Sequence, residues 1–161
     1  MAIYLKIPNV NGDVSTQNFK QWIAVNDIEF SGINKPITLR VGETMDRNTS
    51  FPTFSHITFL KHFDTSSTAL FQAAHTSETF DKVEFNFVSS GNNPTVYGKL
   101  ILHNVVVTHY GNKHSAEAVR PKELITLAYT QIEQTFIPHD NNNKTGSPLI
   151  TGYDLEKAKK L

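Results

Sequence analysis

Apolar and polar residues alternate along much of this chain. Val83, Phe85 and Phe87 are separated by Glu84 and Asn86, and a period of two marks a strand with one dry and one wet face. Longer β-branched and aromatic runs at 19–30 and 123–136 predict two further strands; the second sets Ile125, Leu127 and Tyr129 on one face. Each run exceeds the usual ~5–6 residues of a strand, so bulges or strong curvature are expected within it. Residues 53–60 and 97–110 complete the major strands, with shorter ones at 2–7 and 36–41. Asn11-Gly12, Ser31-Gly32 and the run Ser89–Pro94 supply the turns, the last closing a hairpin.

The alternation fails between Asp64 and Thr76, where Ala69, Ala73 and Ala74 favour helix and Asp64, Thr65 and Ser66 offer capping oxygens. Leu70, Phe71 and Ala74 then share an apolar face about three turns long. So short a helix is marginal alone in water and is expected to pack on the mouth or flank of a sheet. The predicted fold is mainly β: a small antiparallel β-barrel, as two packed sheets, with one short flanking α-helix. Two segments fall outside that plan. The polar loop at 42–52 is longer than the ~4–6 residues usual between strands, which points to function or disorder. The tail at 138–161 reads as an Asn/Gly/Pro linker with a short terminal helix from Asp154.

The chain has 161 residues, which fits one domain. Fifteen Lys and Arg balance fifteen Asp and Glu, and no basic tract favours nucleic acid or an anionic membrane. There is no cysteine, so disulfides and thiolate ligands are excluded. Lys6 and Pro8 interrupt the segment where a Sec-type signal peptide would need its apolar stretch. No apolar run approaches the ~20 residues of a membrane helix. Among the seven histidines, His56 and His62, or His103 and His109, share a face if their strands are regular, but no carboxylate completes a compact ligand set. No phosphate-binding glycine loop and no nucleophile elbow occurs. The Asn-x-Thr/Ser patterns at 48–50 and 143–145 are too short to carry weight. No catalytic, metal or cofactor site is expected, and no enzyme activity. A ligand carrier, an assembly protein and an adaptor all remain compatible with these residues.

The stretch "FLKHFDTSSTALFQAA" closely resembles the central signature of the haemolysin-coregulated protein (Hcp) family, the tube proteins of type VI secretion systems. Phe59, Lys61, Asp64, Ser67, Leu70 and Ala73 fall on its positions, and Glu123, Ile125, Leu127, Tyr129, Ile132 and Phe136 on those of its closing strand. The resemblance covers residues 2 to about 137, giving an Hcp-like domain at 1–137 and a tail at 138–161 outside it. Departures occur at Thr68, Ser77 and Gln134, where the family often has Pro, Gly and Trp. The resemblance implies a homo-hexameric ring that stacks into a secreted inner tube, with sheath and spike proteins as partners and effector cargo in the lumen. It implies a cytoplasmic protein that leaves the cell on firing. Gly42, Glu43, Thr44, Met45, Asp46, Arg47 and Asn48 are the candidate inter-subunit loop, and Glu84 is a candidate lumen residue. The alternative is a monomeric β-barrel that carries a small apolar ligand.

Overall fold

The computed structural model describes residues 1–37, 41–42, 44, 50–91, 93–142 and 144–161. In chain order the elements are β1 (Ala2–Lys6), β2 (Ile23–Val25), β3 (Asp27–Phe30), β4 (Ile33–Asn34), β5 (Thr53–Phe54), β6 (Ile57–His62), α1 (Ser67–His75), β7 (Phe80–Val88), β8 (Val96–Lys113), β9 (Lys122–Ala128), β10 (Gln131–Phe136), β11 (Leu149–Asp154) and β12 (Lys159–Lys160). Every strand pairing is antiparallel.

Two sheets share β8. Its first half lies between β7 and β10 in the order β12-β11-β10-β8-β7-β1-β2, while its second half pairs with β9, followed by β6 and β3. The strand changes sheets at Asn104, whose φ of 50° lies in the left-handed region that asparagine tolerates better than most residues. Burial records the switch: Gly98, Leu100 and Leu102 face inward before it, Val105 and Val107 after it. The ladders among the described residues form these two packed sheets and no closed barrel.

The two long runs break where they cross between sheets. Residues 19–30 yield β2 on β1 and β3 on β6, divided at Asn26, whose N–H donates to the Leu60 carbonyl (2.8 Å). Residues 123–136 yield β9 and β10, divided at Tyr129 and Thr130, and the Thr130 N–H donates to the His103 carbonyl (3.0 Å). The run at 53–60 likewise splits into β5 and β6. The expected turn at 89–94 joins β7 to β8, with the Ser89 N–H donating to Thr95. The turn expected at Asn11-Gly12 falls instead at Pro8-Asn9, between the bridged Ile7 and Val10; the Gly12 N–H donates to the Gln21 carbonyl (2.8 Å), and any side chain on Gly12 would lie 2.4 Å from the Trp22 carbonyl oxygen, so glycine is required. Of the strand expected at 36–41, Pro36 and Ile37 carry none and Thr38–Arg40 lie outside the described residues.

Helix α1 starts at Ser67, later than the capping residues suggested, and Ser66 makes no side-chain cap bond. Its buried face is Ser67, Leu70 and Ala73, set against β8. Phe71, expected on that face, is 57% exposed and lies edge-on to Tyr110. Leu5, Ile23, Ile57, Phe59, Leu70, Phe85, Leu102, Ile125 and Leu127 fill the space between the sheets.

The tail does not end in a helix. Leu149–Asp154 continues the large sheet beyond β10, and Lys159–Lys160 returns on it. Asp154 instead caps the intervening turn, accepting the Lys157 N–H (2.9 Å) and Gln131 Nε2 (2.9 Å).

Candidate functional site

A period of two in a strand leaves a charged residue no choice of face. Lys61 follows Ile57 and Phe59 on the inward parity of β6, Glu123 precedes Ile125 and Leu127 on that of β9, and the ladder places the two directly opposite. Both are 0% exposed. Lys61 Nζ pairs with Glu123 Oε2 and donates to Asp64 Oδ1 (2.8 Å), the His62 carbonyl (3.0 Å) and Ser67 Oγ (3.1 Å). Ser67 Oγ accepts the Asp64 N–H (2.9 Å) and donates to Glu123 Oε2 (2.8 Å). Asp64 Oδ1 also accepts the Ser66 N–H (2.9 Å) and hydroxyl. Tyr110 of β8 donates its hydroxyl to Glu123 Oε1.

One ammonium thus binds the start of α1 to β6 and β9, and Tyr110 ties in β8. Burying two charges is unfavourable unless their remaining polar atoms are satisfied, and here each is. Burial, and then the hydrogen bond from its hydroxyl to Glu123, pushes the Tyr110 pKa up to about 12. With Lys61, Ser67 and Glu123 closed to solvent, no substrate can reach the cluster, which acts as an internal clasp. Ser67, the first residue of α1, is a buried relay that accepts from Lys61 and donates to Glu123.

Of the remaining signature residues, Phe59, Leu70 and Ala73 belong to the core. Tyr129 stands at the β9–β10 corner and donates to the Ser55 carbonyl (2.7 Å); burial raises its pKa to about 12. His103 and His109 do not share a face, because Asn104 and the irregularity between Val107 and His109 intervene. His103 pairs with Glu133 (2.9 Å). Among the described residues no group of three metal-ligating side chains gathers.

Glu84 lies opposite Lys6 on β1, on the side of the large sheet away from the core. Its carboxylate is 3.3 Å from Lys82 Nζ and 3.5 Å from Lys99 Nζ. With His103 and Glu133 these residues give that face a mixed-charge surface.

The opposite character prevails along β10 and β11. Phe136, Leu149 and Ile150 are 52%, 65% and 65% exposed on β10 and β11. The β4–β5 pair, separate from both sheets, forms a two-stranded stem with Ile33, Ile37, Val41 and Phe51 exposed on and around it. This stem carries the candidate loop. Gly42 adopts φ 85°, a left-handed value suited to glycine; Thr44 is exposed; Glu43, Met45, Asp46, Arg47 and Asn48 lie outside the described residues. Sequence reasoning missed β11 and its exposed apolar pair, although Leu-Ile-Thr-Gly-Tyr after Pro148 has the composition of a strand.

Among the described residues no helix is long and apolar enough to cross a membrane. No curated protein sequence matches the chain at a significant level. A solved structure described as a type six secretion system protein superimposes with a TM-score of 0.92 at 25% identity, over 99% of each chain. Hcp1 from Salmonella typhimurium gives 0.77 at 17% identity, over 99% of this chain and 98% of that one. Hcp1 from E. coli EAEC 042, solved as a double mutant, gives 0.72 at 21%, over 96% and 97%. The family described as "Type VI secretion system effector, Hcp" matches residues 4–136, and the chain belongs to that family.

Proposed function

We propose that this chain is a ring subunit of a type VI secretion tube: six copies close into a ring, rings stack, and the tube leaves the cell inside a sheath and beneath a spike. The observation that carries the reading is the apolar wing of β10 and β11 on a member of the Hcp family. Phe136, Leu149 and Ile150 are exposed there, and β12 covers only Tyr153 and Asp154 of β11. A bare strand edge with apolar side chains invites pairing unless another chain covers it. A ring closes only if that face meets a different face of the next copy, which buries the edge without limit to a single dimer. The test is Leu149→Lys with Ile150→Lys, read by light scattering and negative-stain images. Rings from the unaltered chain and smaller species from the variant are expected; rings of unchanged mass from both would refute this role for the wing.

The loop at 42–48, long and polar in sequence, reaches a neighbouring subunit within or between rings. Deleting residues 43–50 should weaken ring formation or stacking, and intact rings and secretion in the deletion would remove the idea. Glu84 and the charged face around it line the lumen, where cargo is shielded before release. Glu84→Lys is expected to lower the stability of a carried effector while rings persist; no change in any cargo would count against a lumenal position. Before firing the protein resides in the cytoplasm, and afterwards outside the cell or in a target cell. It works by assembly, without a cofactor and without catalysis.

A further inference from the structure

A cavity of about 340 Å³ opens between the β4–β5 stem and the wing of β10 and β11. Its walls are Phe30, Ile33, Phe54, Leu100, Ile132 and Tyr153. Phe54 and Tyr153 stack with centroids 5.0 Å apart, so the stem and the wing already hold one another and leave the space preformed. Few polar side chains reach it. Gln134 and Thr151 contribute amide and hydroxyl groups, and among the described residues Lys160 is its one cation. The β11–β12 return brings Lys160 opposite Tyr153. Among the described residues Lys160 makes no ion pair.

Small-ligand sites are commonly concave, of about 300–1,000 Å³, mostly apolar, with a few polar groups that fix orientation. We propose that this cavity binds a small apolar carboxylate, its hydrocarbon or aryl part among Phe30, Phe54 and Tyr153 and its carboxylate on the Lys160 ammonium. The charge selects the class. A cation would meet Lys160 unfavourably, and a sugar or nucleotide would bring more polar groups than Gln134, Thr151 and Lys160 can match. An uncharged apolar molecule would fill the walls but leave the ammonium unused. All of the site's groups come from a single chain, but several stand on the β10 and β11 wing that ring closure would cover, so uptake and assembly must be read separately.

The probe is 4-phenylbutyrate, titrated calorimetrically into the purified full-length chain, with 4-phenylbutanol as the uncharged control. Saturable uptake of one carboxylate per chain is expected, with the alcohol weaker by about tenfold, as loss of a charge-assisted bond implies. Lys160→Ala should weaken the carboxylate to the level of the alcohol, Lys160→Arg should keep it, and Gln134→Trp should abolish it by filling the space. Light scattering on the same samples reads assembly separately. No saturable uptake at millimolar concentration, equal binding of acid and alcohol, or no effect of Lys160→Ala would each overturn the proposal. If Gln134→Trp broke up rings while the unaltered chain took up no carboxylate, the cavity would be a seat for a second copy and not a ligand site.

Discussion

The two ends of this protein handle exposure in opposite ways. Around Lys61 the chain buries one cation and one carboxylate, Glu123, and satisfies them with half-buried Asp64, Ser67, Tyr110 and a backbone carbonyl. Around Leu149 it leaves large apolar side chains and a strand edge open. The first arrangement spends its interactions inside one chain, so its loss should be felt as stability. The second keeps them for something outside the chain, so its loss should be felt as assembly. Folding and assembly are thereby separable by mutation, and they can be broken one at a time.

The largest effect is expected at Lys61. Lys61→Met leaves the Glu123 carboxylate buried without its counter-charge, and removal of one partner from a buried pair costs about 3–5 kcal/mol. Denaturant unfolding should show that loss. Lys61→Met with Glu123→Leu should recover most of it, because a buried pair replaced by apolar residues of similar volume is often neutral; a double variant as unstable as the single one would mean that the cluster is not the clasp described. At the other end, Leu149→Lys with Ile150→Lys should shift unfolding by no more than about 0.5 kcal/mol, as surface changes do, while abolishing rings. Equal losses of stability from both ends would erase the contrast.

Protonation sharpens the comparison further. Tyrosines in the unfolded chain release their protons near pH 10, but Tyr110 and Tyr129 hold theirs to about 12 when folded. Their contribution is therefore whole below about pH 10 and drains away between 10 and 12. Tyr110→Phe should flatten part of that alkaline limb in an unfolding series, and an identical limb would contradict the Glu123 contact. The smallest effect concerns Asp154, whose carboxyl is held below its ordinary range chiefly by the Lys157 N–H. A depressed value means that its contribution is whole above the unfolded pKa of about 3.9 and lost as pH falls through the lower folded one. Asp154→Asn should remove that acid sensitivity from the β11–β12 return, as read by amide exchange there.

Much of the interior was legible because strands enforce parity. Once Phe59 and Ile125 face inward, Lys61 and Glu123 must as well, although alternation alone does not set the register that places them opposite one another. The corners were not legible. Nothing in the pattern of 19–30 or 123–136 marks Asn26 or Thr130 as the point of crossing, since apolar residues continue on both sides and only the partner strand changes. Phe71 misled because a helix of nine residues can set its apolar stripe at either Phe71 and Ala74 or Ser67, Leu70 and Ala73; burial of polar Ser67 follows from Lys61 and Glu123 on two other elements. The tail has a linker's composition because Asn141, Asn142 and Lys144 dominate its start, and β11 becomes a strand through β10, a tertiary partner that local composition does not reveal.

The measurement that bears most directly on the central claim is the mass of the purified full-length chain by light scattering, beside that of Leu149→Lys with Ile150→Lys. Six chain masses and ring-shaped particles for the first, with a folded smaller species for the second, are the predicted result. A stable monomer from the unaltered chain at high concentration would contradict it.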